Sequence, residues 1–259
     1  MKAGMMALAG CVSSAASAAT WCGSGSASIP DDGQTARAWM ATVDLPADHL
    51  IVSVAVHLDL SHTWVGDLQV SLVSPAGDVV SILDRPGMPD GGWIGPWGCG
   101  GDDVQAIFRD DADAAAEETC TQFDVPVLSG SLRPHASLAM LYGTQAAGDW
   151  SVVVRDLSPI DSGSMVAACV TIESSPDCNG NGVPDVDDIE GGGSNDDDGN
   201  GVPDECQCPG DVDGSGTVGV DDLLVLIGQF GGPGSGDLDG DGLVDADDLL
   251  LMLAAWGDC

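Results

Sequence analysis

Over the first two-thirds of the chain, apolar side chains recur every second residue. Val52, Val54, Val56, Leu58 and Leu60 interleave with Ser53, Ala55, His57 and Asp59, as in a strand that buries one face. Leu68, Val70 and Leu72 repeat the period, Trp150, Val152 and Val154 repeat it again, and the run 166–172 supplies a further strand. Turn formers separate these runs: SPAG at 74–77, DRPG at 84–87 and SG at 162–163. Many short strands with frequent turns predict a mainly β unit, a sandwich or jelly roll, over residues 20–174.

The period changes near the end of the chain. Leu223, Leu226, Ile227 and Phe230 stand at i, i+3, i+4 and i+7, and Leu249, Met252, Leu253 and Trp256 repeat those offsets 26 residues later. Each set makes one apolar stripe on a helix. Two such helices facing one another bury both stripes, which neither does alone. Between the β unit and this pair, residues 175–207 are Asp, Asn and Gly with almost no core formers. That predicts an irregular segment, too polar to order itself without help.

Charge gives that segment and the helix pair a chemistry. The 259-residue chain has 42 acidic and six basic residues, and 21 of the acids lie in 176–259, where there is no Lys or Arg. Such a tail repels nucleic acid and anionic membranes and attracts cations. The acids are also placed in register. In DLDGDGLVDADD at 237–248, Asp237, Asp239, Asp241, Asp245 and Asp248 occupy positions 1, 3, 5, 9 and 12 of an EF-hand loop; Gly242 takes the sharp-turn position 6, and Leu243 offers its carbonyl at position 7. DVDGSGTVGVDD at 211–222 aligns with it through Asp211, Asp213, Ser215, Thr217 and Asp222, with Gly219 replacing an oxygen ligand at position 9. Two further copies stand 19 residues apart: Asp177, Asn179, Asn181, Asp185 and Asp188 around Gly182, and Asp196, Asp198, Asn200 and Asp204 around Gly201, with Gln207 at position 12. Calcium accepts about six to eight oxygens in flexible geometry, whereas magnesium retains its waters, so the expected cofactor is calcium.

Export and oxidation fit these loops. Residues 1–19 read as a short signal segment, with one Lys, a weakly apolar run and small residues before cleavage after Ala18 or Ala19. LAGC at 8–11 offers a lipid anchor at Cys11 as a lesser alternative. No later run approaches the roughly 20 apolar residues of a membrane span. Eight cysteines remain after the signal, and an even number in an exported chain argues for disulfides. A module-by-module arrangement, in which each pair staples one unit, joins Cys22 to Cys169, Cys99 to Cys120, Cys178 to Cys206 and Cys208 to Cys259, although spacing leaves the connectivity open. Cys206-x-Cys208 as a zinc or redox pair lacks completing ligands nearby. The expected location is secreted or cell-surface, with the periplasm as an alternative.

Three resemblances extend this reading. LDLSHTWVGDLQVSLVSPAGDVVSIL at 58–83 resembles the core signature of the P domain, or P/homo B domain, that follows the catalytic domain of kexin-like and subtilisin-like proteases. IPDDG at 29–33, the segment Phe108, Asp110, Asp111, Ala112, the segment 138–143, and Gly148-Asp149-Trp150 with Asp156 follow in the family's order. Ala168 departs from it where the last strand often carries Trp, and 99–120 looks like a stapled insertion. The resemblance implies a jelly-roll sandwich accompanying an exported enzyme. No Asp, His and Ser of a subtilisin-like unit are recognisable, so no enzymatic activity is expected. His62 reads as structural, bonding the turn before Asp67. Asp67 and Asp111 either join a calcium site of the P-domain kind or cap turns. The segment 175–207 resembles thrombospondin type 3 calcium repeats, and 208–259 resembles a type I dockerin, which implies attachment to a cohesin-like or cell-surface protein. At the recognition positions stand Val220-Asp221 and Ala246-Asp247, with no basic residue, a departure that bears on cohesin binding and not on calcium.

The expected function is an exported, non-catalytic calcium-binding adaptor that displays a P-domain sandwich. The alternatives are an accessory or C-terminal component of a subtilisin-like protease system, with an exported protease as partner, and a carbohydrate-binding jelly roll using Trp64, Trp93 and Trp97.

Overall fold

A computed structural model describes residues 17–23, 26–33, 36–87, 98–120, 124–196, 199–213 and 215–258. The described chain falls into two units, divided between Asp188 and Ile189. The first calcium-type loop, 177–188, therefore goes with the β unit, and the second, 196–207, goes with the terminal helices.

The β unit is built from β1 (Ser17–Cys22), β2 (Ala27–Ile29), β3 (Arg37–Val43), β4 (His49–His62), β5 (Leu68–Val73), β6 (Val79–Asp84), β7 (Val104–Phe108), β8 (Ala114–Ala115), β9 (Leu128–Arg133), β10 (Gly148–Asp156) and β11 (Gly163–Pro176). One sheet runs β1-β11-β4-β7-β9-β8, with β2 also on β11; the other runs β3-β10-β5-β6. Pairing is antiparallel except where β9 meets β7 and β8. The register sets Val152 opposite Leu72 and Val154 opposite Val70, so the inward side chains of neighbouring strands align. Val54, Val56, Leu58 and Leu60 from one sheet and Leu68, Val70, Leu72, Trp150, Val152 and Val154 from the other share a single core. Trp150 is buried with its indole Nε1–H donating to the Ala146 carbonyl at 3.0 Å, which satisfies its polar edge.

The simple alternation fails at two places, both of them bulges. Ile51, not Val52, is buried at the start of β4, because the register shifts where Glu173 and Ser174 pair with Ser53 and Ile51. A second shift between Met165 and Ala167 leaves Val166 exposed. An extra residue in one strand turns the following side chains to the other face.

Two disulfides match the expected pairs. Cys22 faces Cys169 across β1 and β11, and Cys99 is bonded to Cys120. Cys178, Cys206 and Cys208 are also disulfide-bonded, which removes Cys206 and Cys208 as zinc thiolates. Cys259 lies outside the described residues, as do Cys11 and residues 1–16 of the expected signal segment. The expected cleavage points after Ala18 and Ala19 fall within β1. The part of that strand from Thr20 onward includes Cys22.

In the segment expected to be irregular, helix α1 (Asp185–Gly191) follows the first loop, with Asp185, Asp187 and Asp188 in its opening turn. Carboxylates there face the positive end of the helix. The terminal unit contains β12 (Thr217–Val218), α2 (Val220–Gln229), α3 (Ala246–Ala254) and β13 (Gly257–Asp258). Both predicted helices form, but they do not bury their whole stripes. Leu226 and Met252 are fully buried, with Val218 and Val244 from the loops between them, and Leu223 and Leu249 pack at the edge. Ile227, Phe230, Leu253 and Trp256 are exposed. Helices of ten and nine residues present about one buried side chain each to so small a core. Among the described residues, no helix is long and apolar enough to cross a membrane.

Candidate metal centre

The described parts of the four loops share the same turn at position 6. The position-6 glycines Gly182, Gly201, Gly216 and Gly242 have φ of +85°, +82°, +83° and +91°, a region a Cβ disfavours. This sharp turn points the loop amides inward, onto the first carboxylate. Asp177 accepts from the amides of Asn181 at 3.1 Å and Gly182 at 3.0 Å. Asp196 accepts from Asn200 at 3.0 Å and Gly201 at 2.9 Å, and Asp211 from Ser215 at 2.9 Å and Gly216 at 2.8 Å. Asp237 accepts from Gly242 at 2.8 Å. At position 5, Asn181, Asn200 and Asp241 each accept the amide two residues on, which fixes the side chain in the ring.

The far end of three of the loops is a buried carboxylate in the first turn of a helix. Asp188, Asp222 and Asp248 are all buried, and so is Asp185. Asp222 accepts from Asp213 at 3.1 Å and Gly219 at 2.8 Å. Asp248 accepts from Leu238 at 2.6 Å, Asp239 at 3.2 Å and Asp245 at 2.7 Å. Asp245 caps α3 through the Asp247 amide, while Gly219, without a side chain, leaves that role unfilled on α2. In the first loop Asn179 and Asn181 donate their side-chain amides to Asp188 at 3.2 and 2.8 Å, and Asp185 accepts from the Cys178 amide. In the second loop Asp204 accepts from Gln207, and Asp198 lies outside the described residues.

These contacts shift the carboxyls of the candidate ligands in different directions. The Asp245 amide foremost, then those of Leu238 and Asp239, hold the Asp248 carboxyl below the ordinary carboxylate range. Burial alone would raise Asp222, but the Gly219 and Asp213 amides outweigh it and bring that carboxyl down as well. Asp239 moves the other way: the Asp241 amide lowers it, yet burial and the carboxylates of Asp241, Asp248 and Asp237 push it up. Burial pushes Asp185 up.

Carboxylate oxygens of Asp211, Asp213 and Asp222 lie within 4.8 Å of one another, as do those of Asp237, Asp239 and Asp241. In addition, Asp237 Oδ1 is buried and has no hydrogen-bond partner. An anionic oxygen removed from water without a donor is costly. A hard divalent cation would supply the missing partner, and an all-oxygen donor set is of the kind calcium takes. Sequence spacing singled out these residues as candidate ligands, whereas the amides holding Asp222 and Asp248 were not readable from it.

The loops of the terminal unit are also tied to one another. Val244, at position 8, bonds through its amide to the Gly232 carbonyl at 2.9 Å and through its carbonyl to the Gly231 amide at 2.8 Å. The corresponding Val218 pairs with Gly257 between β12 and β13. Each loop is thus bound to the segment that follows the other loop's helix.

In the β unit, His62 is buried, with Nδ1 2.9 Å from the Trp64 carbonyl and Nε2 3.2 Å from Asp156. The turn-bonding role expected for His62 is present, and the Asp156 partner, far away in sequence, is new. Asp67 is buried beside Ser158, and burial raises its carboxyl, with the nearby Asp156 and Asp161 adding to the shift. Asp111 is instead exposed and ion-paired with Arg109. Trp64, Asp67, Ser158, Pro159, Ile160 and Asp161 line a cavity of about 400 Å³. Trp93 and Trp97 lie outside the described residues.

Residues 51–96 match the family model of the proprotein convertase P-domain. Among solved structures, the chain is similar to the serine protease of Aeromonas sobria, at 18% identity over 61% of this chain and 26% of that one, with a TM-score of 0.36. It is also similar to the Aeromonas sobria serine protease in complex with its chaperone, at 17% identity over 62% of this chain and 26% of that one, with a TM-score of 0.37. The chain thus spans about a quarter of the length of those protease chains. No curated protein matches it.

Proposed function

We propose that this protein is an exported, non-catalytic calcium-binding adaptor, in which a jelly-roll sandwich of the P-domain type is carried beside calcium loops and a dockerin-like attachment module. The observation that carries this reading is the recurrence of one loop geometry four times, with inward amides, a positive-φ glycine at position 6 and a buried carboxylate at position 12 wherever that residue is Asp. Calcium would be held by Asp237, Asp239, Asp241, Leu243, Asp245 and Asp248, and by the matching sets in the other loops. Its chemistry here is neutralisation and cross-linking of carboxylates, which couples metal binding to folding. The dockerin-like module would engage a cohesin-like or cell-surface protein. Pull-down from the source's exported fraction, with and without chelator, tests attachment and metal dependence together. Calcium-dependent capture of a surface protein is expected, and capture unaffected by chelator would overturn the reading.

A second reading, an accessory component of a subtilisin-like protease system, draws support from the P-domain match at 51–96. It expects an exported subtilase to copurify with the chain through the β unit, and a partner set without any protease would remove it.

A further inference from the structure

We infer that the two loops of the terminal unit fill in a fixed order, with 237–248 taking its cation before 211–222. This rests on the calcium reading above and adds to it a difference between the loops that ligand spacing does not contain. Three of the four position-1 aspartates, Asp177, Asp196 and Asp211, have both carboxylate oxygens bonded to loop amides. Asp237 alone among them does not. Its Oδ2 receives the Gly242 amide; the Ser215 amide is shared between Asp211 and Asp213, but its counterpart, the Asp241 amide, bonds Asp239 at 3.1 Å and not Asp237, whose Oδ1 is buried and unpartnered.

Loop 211–222 therefore closes on its own backbone, and loop 237–248 closes around a gap that a cation would fill. The balance of charge acts in the same sense. Loop 237–248 sets five carboxylates at its side-chain ligand positions, whereas loop 211–222 has three, with Ser215 and Gly219 at the others. Without a cation the five repel one another, so the first ion relieves more there. Once that loop is fixed, Val244 holds Gly231 and Gly232 at the end of α2, the helix that opens with Asp222. The second ion then enters a loop whose helix is already anchored.

The test uses the full chain with ¹⁵N-labelled glycine. The amides of Gly216 and Gly242 each donate to the position-1 aspartate of their own loop, so each reports its own site. In a calcium titration the Gly242 signal should reach its midpoint at a free calcium concentration at least about tenfold below that of Gly216. Asp237→Asn should move the Gly242 midpoint up to or beyond that of Gly216, while Asp211→Asn should move Gly216 alone. The wild-type titration decides the order even if a variant fails to fold. A common midpoint, or Gly216 responding first, overturns the order while leaving the calcium reading intact. No response at either glycine up to millimolar calcium overturns the calcium reading and the order together.

Discussion

Gly242 illustrates how much of the loop geometry depends on single backbone angles. Its φ of +91° costs an L side chain strain, so Gly242→Ala should destabilise the terminal unit by roughly 1–2 kcal/mol. Gly228, within α2 and clear of neighbours at its missing Cβ, supplies the contrast. Gly228→Ala should stabilise by about 0.5–1 kcal/mol. Urea unfolding followed by tryptophan fluorescence measures both, and equal effects would contradict the assigned turn. In the β unit, His62→Ala leaves the Asp156 carboxylate without its buried partner. That should cost roughly 2–3 kcal/mol in the same measurement. Spacing alone located the turn glycine and the candidate ligands, because position 6 and the alternate carboxylates form a local pattern. It did not reveal the Asp156 partner or the unpartnered oxygen of Asp237, since both depend on where distant or backbone atoms come to rest.

Among elements, α2 and α3 show the limit of reading a helix by its period. The offsets predicted two four-residue stripes, yet Leu226 and Met252 are buried while Ile227 and Leu253 stay half exposed. The core they enter is small and is shared with Val218 and Val244. Met252→Ala should therefore cost about 2–4 kcal/mol, and Leu253→Ala less than about 0.5 kcal/mol. Thermal unfolding of the full chain, monitored by tryptophan fluorescence, separates them; equal losses would restore the full-stripe packing. The strands were legible to within their bulges. At Ile51 and Val166 an inserted residue moved burial by one position, a shift that alternation does not signal.

Across the molecule, the two units should answer acid in opposite senses. Burial lifts the carboxyls of Asp67 and Glu117 in the β unit. Such a group contributes stability that is complete below its ordinary titration range and is lost as pH rises through its raised value. Asp222 and Asp248, held low chiefly by backbone amides, contribute stability that is present above the ordinary range and is lost as pH falls through their lowered values. With calcium saturating, the cation offsets the carboxylate repulsion that raises Asp239. Lowering the pH through the raised values of Asp67 and Glu117 should then strengthen the β unit, and the terminal unit should weaken only below the ordinary carboxylate range, as pH falls through the lowered values of Asp222 and Asp248. Hydrogen exchange resolved by unit measures this, and parallel loss in both units would contradict it. The chain's own residues fixed the mainly β character, the helix periods, the loop registers and the cysteines of the two stapled pairs, because each is a local repeat or a count. Which residues the bulges turn inward, how far the helix stripes are buried, and which loop retains an unsatisfied carboxylate were settled by packing, because each turns on which backbone amide or neighbouring side chain arrives from elsewhere.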